Sequence, residues 1–219
     1  MNIEFILNLK EDKKILKCLE VDNTDFAYIK DSSFYVKVKK LSSLKNTLDD
    51  FFRCYEVAKK IFEITKDIKI RNVDENDLKY FLELYFKAYE GFDKYYYKTK
   101  KWAKWYFNWL LKRDKEGFFV LEYKNRIVGF LAVDCNWVSK VENKKVAEIH
   151  EIFIHPDFRK KGFGKILIDK AIEYAKKRGR DIVELWVGEE NFNAIKFYES
   201  LGFKKDIKIK EWIRMYKHI

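Results

Sequence analysis

The sequence predicts an α/β chain in two parts: a small β-α-β-β-α domain over residues 1–66 and a larger α/β domain over residues 67–219. Three observations predict it. Runs of period-two alternation succeed runs of helical spacing along the chain. One proline and eight glycines in 219 residues imply long regular elements joined by short loops. Near residue 66 one pattern ends and another begins, with no internal repeat and no low-complexity linker. A hydrophobic share of 47%, with 18% aromatic residues, supplies a core.

In the first part, residues 3–9 alternate as a strand and Glu11–Leu19 read as a short helix. Phe26–Ile29 and Phe34–Val38 read as strands meeting at Asp31-Ser32-Ser33. Ser43 opens a helix to about Ile64, with Leu44, Leu48, Phe51, Phe52, Tyr55, Ala58 and Phe62 as an apolar stripe. So short a unit has little core of its own, and part of that stripe is expected to need a partner. The order of elements and the run SLKNTLDDFFRCYEVAKKIFEI resemble the small dimerisation subunit of the KEOPS tRNA-modifying complex. That resemblance implies a homodimer and a link to tRNA modification.

The second part begins with a strand at Ile68, a helix capped by Asn76 or Asp77 and running to about Tyr89, and a helix over Thr99–Arg113. Strands at 118–123, 126–133 and 145–154, helix 164–178, strand 182–187, helix 192–200 and strands 203–210 and 212–218 follow. Residues 91–113 interleave bases and aromatics as single-strand nucleic-acid binders do. The spacing of Trp102, Trp105, Tyr106, Trp109 and Leu110 instead places those side chains in the core, with Lys101, Lys104 and Lys112 solvated.

Composition narrows the function. The formal net charge of +11 is unevenly shared, with 13 basic against 11 acidic residues up to 66 and 33 against 24 beyond. Such a surface attracts polyanions, so a nucleotide cofactor, nucleic acid or an acidic protein all remain open as partners. Cys18, Cys54 and Cys135 show no paired spacing, and only His150, His155 and His218 stand beside them, which argues against a metal site. Glu4 and Asn8 interrupt the first apolar run, and no stretch approaches the roughly 18 apolar residues of a membrane span. A cytoplasmic setting is expected.

The stretch AEIHEIFIHPDFRKKGFGKILID, residues 147–169, carries the chemistry. A β-rich run ends at Pro156, and a turn containing Gly162, Phe163 and Gly164 opens a helix. Glycines let the backbone turn tightly, exposed amides and the positive helix end face an anion, and Arg159, Lys160 and Lys161 add countercharge. A dinucleotide fingerprint fails, because Leu167 stands where its third glycine belongs. Downstream comes N-x-x-A-I-x-x-Y followed by E-x-L-G-F, realised as Asn191, Ala194, Ile195, Tyr198, Glu199, Leu201, Gly202 and Phe203.

Both motifs resemble, in order and spacing, signatures of the GNAT superfamily of N-acetyltransferases, over roughly residues 68–219. The resemblance implies a mixed central sheet flanked by helices, acetyl-CoA as acyl donor, no metal, and an amine acceptor on a protein, another macromolecule or a small molecule. It implies that amides from Lys160 to Lys165 hold the pyrophosphate and that backbone groups of Ile152, Phe153 and Ile154 pair with pantetheine. Tyr198 matches the residue that protonates or positions the coenzyme sulfur, and Asn191 a cofactor-contacting asparagine; packing and helix capping are the plainer alternatives.

Amide formation also needs a base. Strand alternation puts Glu148, His150 and Ile152 on one face and Ile149, Glu151 and Phe153 on the other, so Glu148 and His150 are expected to cooperate. A bulge, common in this strand of the family, would exchange the faces and promote Glu151. Each of the three also has a structural reading, as a salt bridge or a hydrogen bond. Ribosomal-protein N-terminal acetyltransferases carry a glutamate where spacing gives Trp186, which disfavours that subfamily. Tyr95, Tyr96 and Tyr97 fall in the loop that borders the acceptor in this family. A non-catalytic adaptor linked to tRNA modification is the rival from another class.

Overall fold

The computed structural model describes residues 3–9, 13–19, 24–31, 33–92 and 94–219, excepting the side chains of 13, 14, 18 and 61–65. Glu11 and Asp12 of the expected first helix, Ser32 of the expected turn, and the Cys18 and Phe62 side chains lie outside the described residues. The chain divides into two compact units, Met1–Ile68 and Lys69–Ile219.

The first unit follows the order β1 (Ile3–Asn8), α1 (Lys13–Leu19), β2 (Ala27–Lys30), β3 (Ser33–Val38) and α2 (Leu41–Thr65). Its sheet is antiparallel with β3 central, because only β3 pairs on both edges. Alternation aims Ile29, Phe34 and Val36 at α1 and α2, where they meet Ile15, Leu16, Phe51 and Tyr55. Phe34 and Phe51 stack at 3.8 Å. Phe52, expected in that stripe, is 43% exposed; it follows Phe51 by one residue, about 100° around the helix.

The second unit is built on a seven-stranded sheet. Its strands are β4 (Ile68–Asn72), β5 (Phe118–Tyr123), β6 (Arg126–Asp134), β9 (Ala147–Ile154), β10 (Ile182–Gly188), β11 (Lys204–Ile209) and β12 (Trp212–His218). Between β6 and β9 a short hairpin pairs the two-residue strands β7 (Val138–Ser139) and β8 (Lys144–Lys145). The order across the sheet is β11-β12-β10-β9-β6-β5-β4. Pairing is parallel between β9 and β10 and antiparallel at β5–β6, β6–β9, β10–β12 and β11–β12. This is the mixed sheet flanked by helices that the motifs implied.

Alternation along β5 and β6 sorts the two faces. Phe118, Val120, Phe130 and Ala132, with Phe153 of β9, pack under α3 (Leu78–Ala88) and α4 (Lys100–Arg113) through Phe81, Phe107 and Leu110. On the other face Phe119 meets Tyr174 of α5 (Phe163–Lys177). The last helix is α6 (Phe192–Ser200).

Two local expectations change. Asp77 is the N-cap residue of α3 but makes no side-chain capping bond there; the capping bonds lie one turn earlier, where Asp74 accepts from the Asn76 amide and Asp77 from the Asp74 amide, closing a reciprocal box around a 3-10 turn. In α4, Thr99 caps the Trp102 amide, and the buried face is Ala103, Phe107 and Leu110. Tyr106 and Trp109 flank that face, whereas Trp102 and Trp105 are 52% and 48% exposed. Small Ala103 lets the helix approach the core where a tryptophan would hold it off.

Beneath the sheet's parallel pair lies a buried ionic cluster. Arg214 of β12 is fully buried and donates to Glu184 from Nε at 2.7 Å and to Glu142 from a terminal nitrogen at 2.7 Å, and it pairs with Asp206. Ser139 adds a donor to Glu184 at 3.0 Å. Arg214→Met should lower stability by about 3–5 kcal/mol, because it strands buried carboxylates without their cation. Chemical denaturation measures this, and a loss below about 1 kcal/mol would contradict it.

Candidate active site

The site starts where two strands part. β10 pairs with β9 at Val183–Ala147, Glu184–Glu148 and Leu185–Ile149, and no further. Beyond Ile149 the β9 backbone stays bonded to β6 on its other side, so its β10-facing edge is free to bond elsewhere. The opening is a cleft of about 590 Å³ bounded by β9, β10, the turn before α5, α6 and the segment after α3. Ile152, Phe153 and Ile154 line it.

At one end stands the basic turn. Lys160 and Gly162 take left-handed backbone conformations, φ +60° and +86°, and Gly162 is the N-cap of α5. The first backbone bond of the helix runs from the Ile166 amide to the Gly162 carbonyl at 3.2 Å, leaving the amides of Lys160 to Lys165 unpaired among the described residues. These donors converge with the positive end of a 15-residue helix, an arrangement suited to an anion. Phe163 is buried against Tyr123, and Lys165 pairs with Asp169. Gly164 approaches Phe197 of α6 so closely that an added Cβ would lie 3.0 Å from the ring. Arg159 is spent otherwise than the sequence suggested: it donates to the Ile154 carbonyl at 3.2 Å and the Ala88 carbonyl at 2.7 Å, tying the turn to β9 and α3. Lys161 bonds the Asp157 carbonyl.

At the other end lie the titratable groups. The register of β9 on β6 shifts by one residue, with Ile149 opposite Val133 but Glu151 opposite Ala132, so His150 is an inserted bulge residue. Simple alternation therefore fails. Glu148 opposes Asp134 and Glu151 opposes Ala132, which puts both carboxylates on the face covered by α3 and α4. Their surroundings differ. Glu148 is buried against Glu184, and one of its oxygens has no hydrogen-bond partner among the described residues. Burial, then the charge of Glu184, pushes its carboxyl well above the ordinary range. It is not among the cleft-lining residues, whereas Glu151 and His150 are.

Glu151 accepts a 2.6 Å bond from the Tyr89 hydroxyl, and Tyr106 stands beside it with its own hydroxyl donating to the His150 carbonyl at 3.0 Å. Burial pushes its carboxyl up to about 7, against the lowering effect of Tyr89, the Ile152 amide and Tyr106. Tyr198 lines the same cleft, and burial followed by the charge of Glu151 raises its hydroxyl pKa, keeping it a proton donor. His150 is held elsewhere: its Nε2 sits 3.3 Å from Asp134, and its ring lies edge-on between Trp109 and Trp137. Asp134 is also clamped by Arg113 at 2.8 Å. No bond joins Glu148 to His150 among the described residues: Glu148 lies with Glu184, while His150 is bonded to Asp134, which stands opposite Glu148 in the sheet.

Asn191 caps α6 through the Ala194 amide and also lines the cleft. Of the three tyrosines, Tyr95 alone reaches the wall; its ring lies 2.5 Å from where a Cβ on Gly188 would sit, and 5.2 Å from Trp212. Tyr96 instead stacks on Tyr89, and Tyr97 leans on Tyr106. Trp186 and Phe92 complete an aromatic rim. Sequence reasoning missed Tyr89 and Tyr106 as partners of Glu151, and no local motif marks them. Among the described residues no group of three or more His, Cys, Asp or Glu is placed to hold a metal ion, and no helix is long and apolar enough to cross a membrane.

A mixed sheet opened between two parallel strands, with an anion-receiving helix start at the opening, defines an acyltransferase. Residues 78–203 match the acetyltransferase (GNAT) family, and the chain belongs to that family. It is 55% identical, over the full length of both chains, to an uncharacterised N-acetyltransferase of Methanocaldococcus jannaschii. A crystal structure of a Pyrococcus horikoshii protein is 37% identical and superposes with a TM-score of 0.63 over 69% of this chain and 98% of that one. The PaiA N-acetyltransferase of Thermoplasma acidophilum, solved with coenzyme A, shares the fold at 22% identity and a TM-score of 0.56, over 69% of this chain and 99% of that one.

Because the Tyr89 bond favours the charged carboxylate, Tyr89→Phe should raise the Glu151 pKa above its value of about 7, by about one unit. Carbon-detected NMR titration of the carboxyl reads this directly, and an unmoved or lowered pKa would contradict it.

Proposed function

We propose that the chain transfers an acetyl group from acetyl-CoA to an amine, with Glu151 as general base and Tyr198 as proton donor. The observation that carries this reading is one cleft with three functional stretches: unpaired amides at Lys160–Lys165, a free β9 edge at Ile152–Ile154, and Glu151 with Tyr198 beside it. When bound, acetyl-CoA supplies the acetyl group as a thioester, already activated for attack by nitrogen. The amides, with Lys160 near them, suit its pyrophosphate, and the strand edge suits the amide-bearing pantetheine.

Glu151 accepts the proton that the amine must lose. A carboxyl near 7 is partly ionised at neutral pH, and it serves an α-amino group of pKa about 7.7–8.0 better than a lysine near 10.4. Tyr198 donates toward the departing thiolate. Glu148 takes no part in this scheme; its place in the Glu184–Arg214 cluster supports a structural role.

The acceptor is an amine on a protein or another macromolecule, a reading supported by the basic excess of residues 67–219. The small N-terminal unit mediates a cytoplasmic homodimer. Supporting this, its sheet exposes Ile6 (62%) and Tyr28 (37%) on one outer face, while α2 exposes Phe52 and Val57. Sedimentation of the intact chain as a strict monomer at micromolar concentration would refute the dimer.

Gly162→Val forces a β-branched residue to φ +86° and should weaken acetyl-CoA binding at least about tenfold by calorimetry. Tyr198→Phe should leave that affinity within about twofold but slow transfer of labelled acetyl by about 10- to 100-fold. Label from acetyl-CoA, offered to size-fractionated cell extract, identifies the acceptor. No transfer to any fraction would leave a non-catalytic coenzyme binder.

A further inference from the structure

We infer that the outer face of α4 is a docking surface for single-stranded nucleic acid. The sequence from Lys94 to Arg113 holds seven basic residues and no acidic one. Once Ala103, Phe107 and Leu110 have turned into the core, helical spacing puts Lys101, Trp102, Lys104 and Trp105 together on the outside. The two indoles meet edge to face at 5.9 Å, and Tyr97, 38% exposed, extends the row at 6.1 Å from Trp105.

The fold does not account for this face. Each tryptophan leaves about half its surface in water when burial would stabilise the chain. Lys94 is paired with Glu190 and Arg113 with Asp134, but Lys98, Lys100, Lys101 and Lys104 are exposed and make no ion pair among the described residues. Lys100 and Lys101 stand in the first turn of α4, where the helix dipole disfavours cations.

Rings and ammonium groups together fit one occupant: a flexible polyanion whose bases stack on the indoles while its phosphates meet the lysines. An anionic bilayer fits less well. Interfacial helices bury a continuous apolar face, and that of α4 already lies in the protein core. A duplex keeps its bases stacked internally and would leave the rings without partners.

The test uses the intact chain without acetyl-CoA, so that its outcome is independent of acetyl transfer. Anisotropy of a fluorescein-labelled oligouridylate should report binding at low salt that weakens as salt rises. Trp102→Ala with Trp105→Ala should weaken it at least about tenfold and keep the salt dependence. Replacing Lys98, Lys100, Lys101 and Lys104 by Gln should reduce the slope of log affinity against log salt by about 3. Circular dichroism melting should be little changed, since all six side chains are exposed. No binding at low salt, affinity unaffected by loss of both indoles, or binding to phosphatidylserine vesicles in place of the oligonucleotide would each overturn the inference.

Discussion

The cleft exists because β9 loses one of its two hydrogen-bonded neighbours after Ile149. Inside a sheet every backbone donor and acceptor is paired, so a strand released on one edge, yet held by β6 on the other, presents fixed hydrogen-bonding groups to a ligand. The other parts are arranged around that edge. α5 starts at one end of it with unpaired amides, α6 brings Tyr198 and Asn191 alongside, and Arg159 fastens the turn to the last residue of β9. One residue from the split, the bulge at His150 turns Glu151 toward the α3–α4 face.

That geometry places a carboxylate where the fold alone would not want one. Glu151 titrates at about 7 in the folded chain against an ordinary 4.5. Between those values the unfolded chain has released this proton while the folded chain keeps it, so stability falls as pH rises through that window. The cost above pH 7 is about 3 kcal/mol. Tyr89 limits it by donating to the carboxylate, and burial keeps the Tyr89 hydroxyl protonated. Glu148 carries a burden of the same sign, but in a closed cluster with Glu184 and Arg214. The two acids thus differ in access to the cleft, and access decides which can meet a substrate.

What the sequence made legible is local. The glycine turn, the Asn191–Tyr198 helix and the order of strands and helices each rest on neighbours within one or two turns of chain, and each appears where expected except at the unforeseen β7–β8 hairpin, which takes the start of the expected 145–154 strand. The bulge at His150 is the alternative that the family resemblance offered for this strand; strand alternation alone did not reveal it, because an inserted residue is defined by the register of β9 on β6 and leaves no composition mark of its own. Tyr89 and Tyr106 escaped for the same reason: they reach Glu151 across 62 and 45 residues of chain. Periodicity also misjudged α4, since Trp102 and Trp105 share the helical spacing of the true core residues but lie one position away from Ala103 and two from Phe107. A stripe read from large aromatics overlooked the alanine that sets the helix's approach.

The central claim is that Glu151, brought to the cleft by the bulge, is the base. The pH dependence of kcat/KM for acetyl transfer to an amine whose own pKa lies well above the range tested addresses it most directly. For the intact enzyme the account predicts an ascending limb with an inflection near 7, the value at which Glu151 ionises, superposed on the slope from the amine. In Glu151→Gln that inflection should vanish and the rate should fall by about 10²- to 10⁴-fold, while Glu148→Gln keeps the limb. An inflection that survives in Glu151→Gln and disappears in Glu148→Gln would contradict the account.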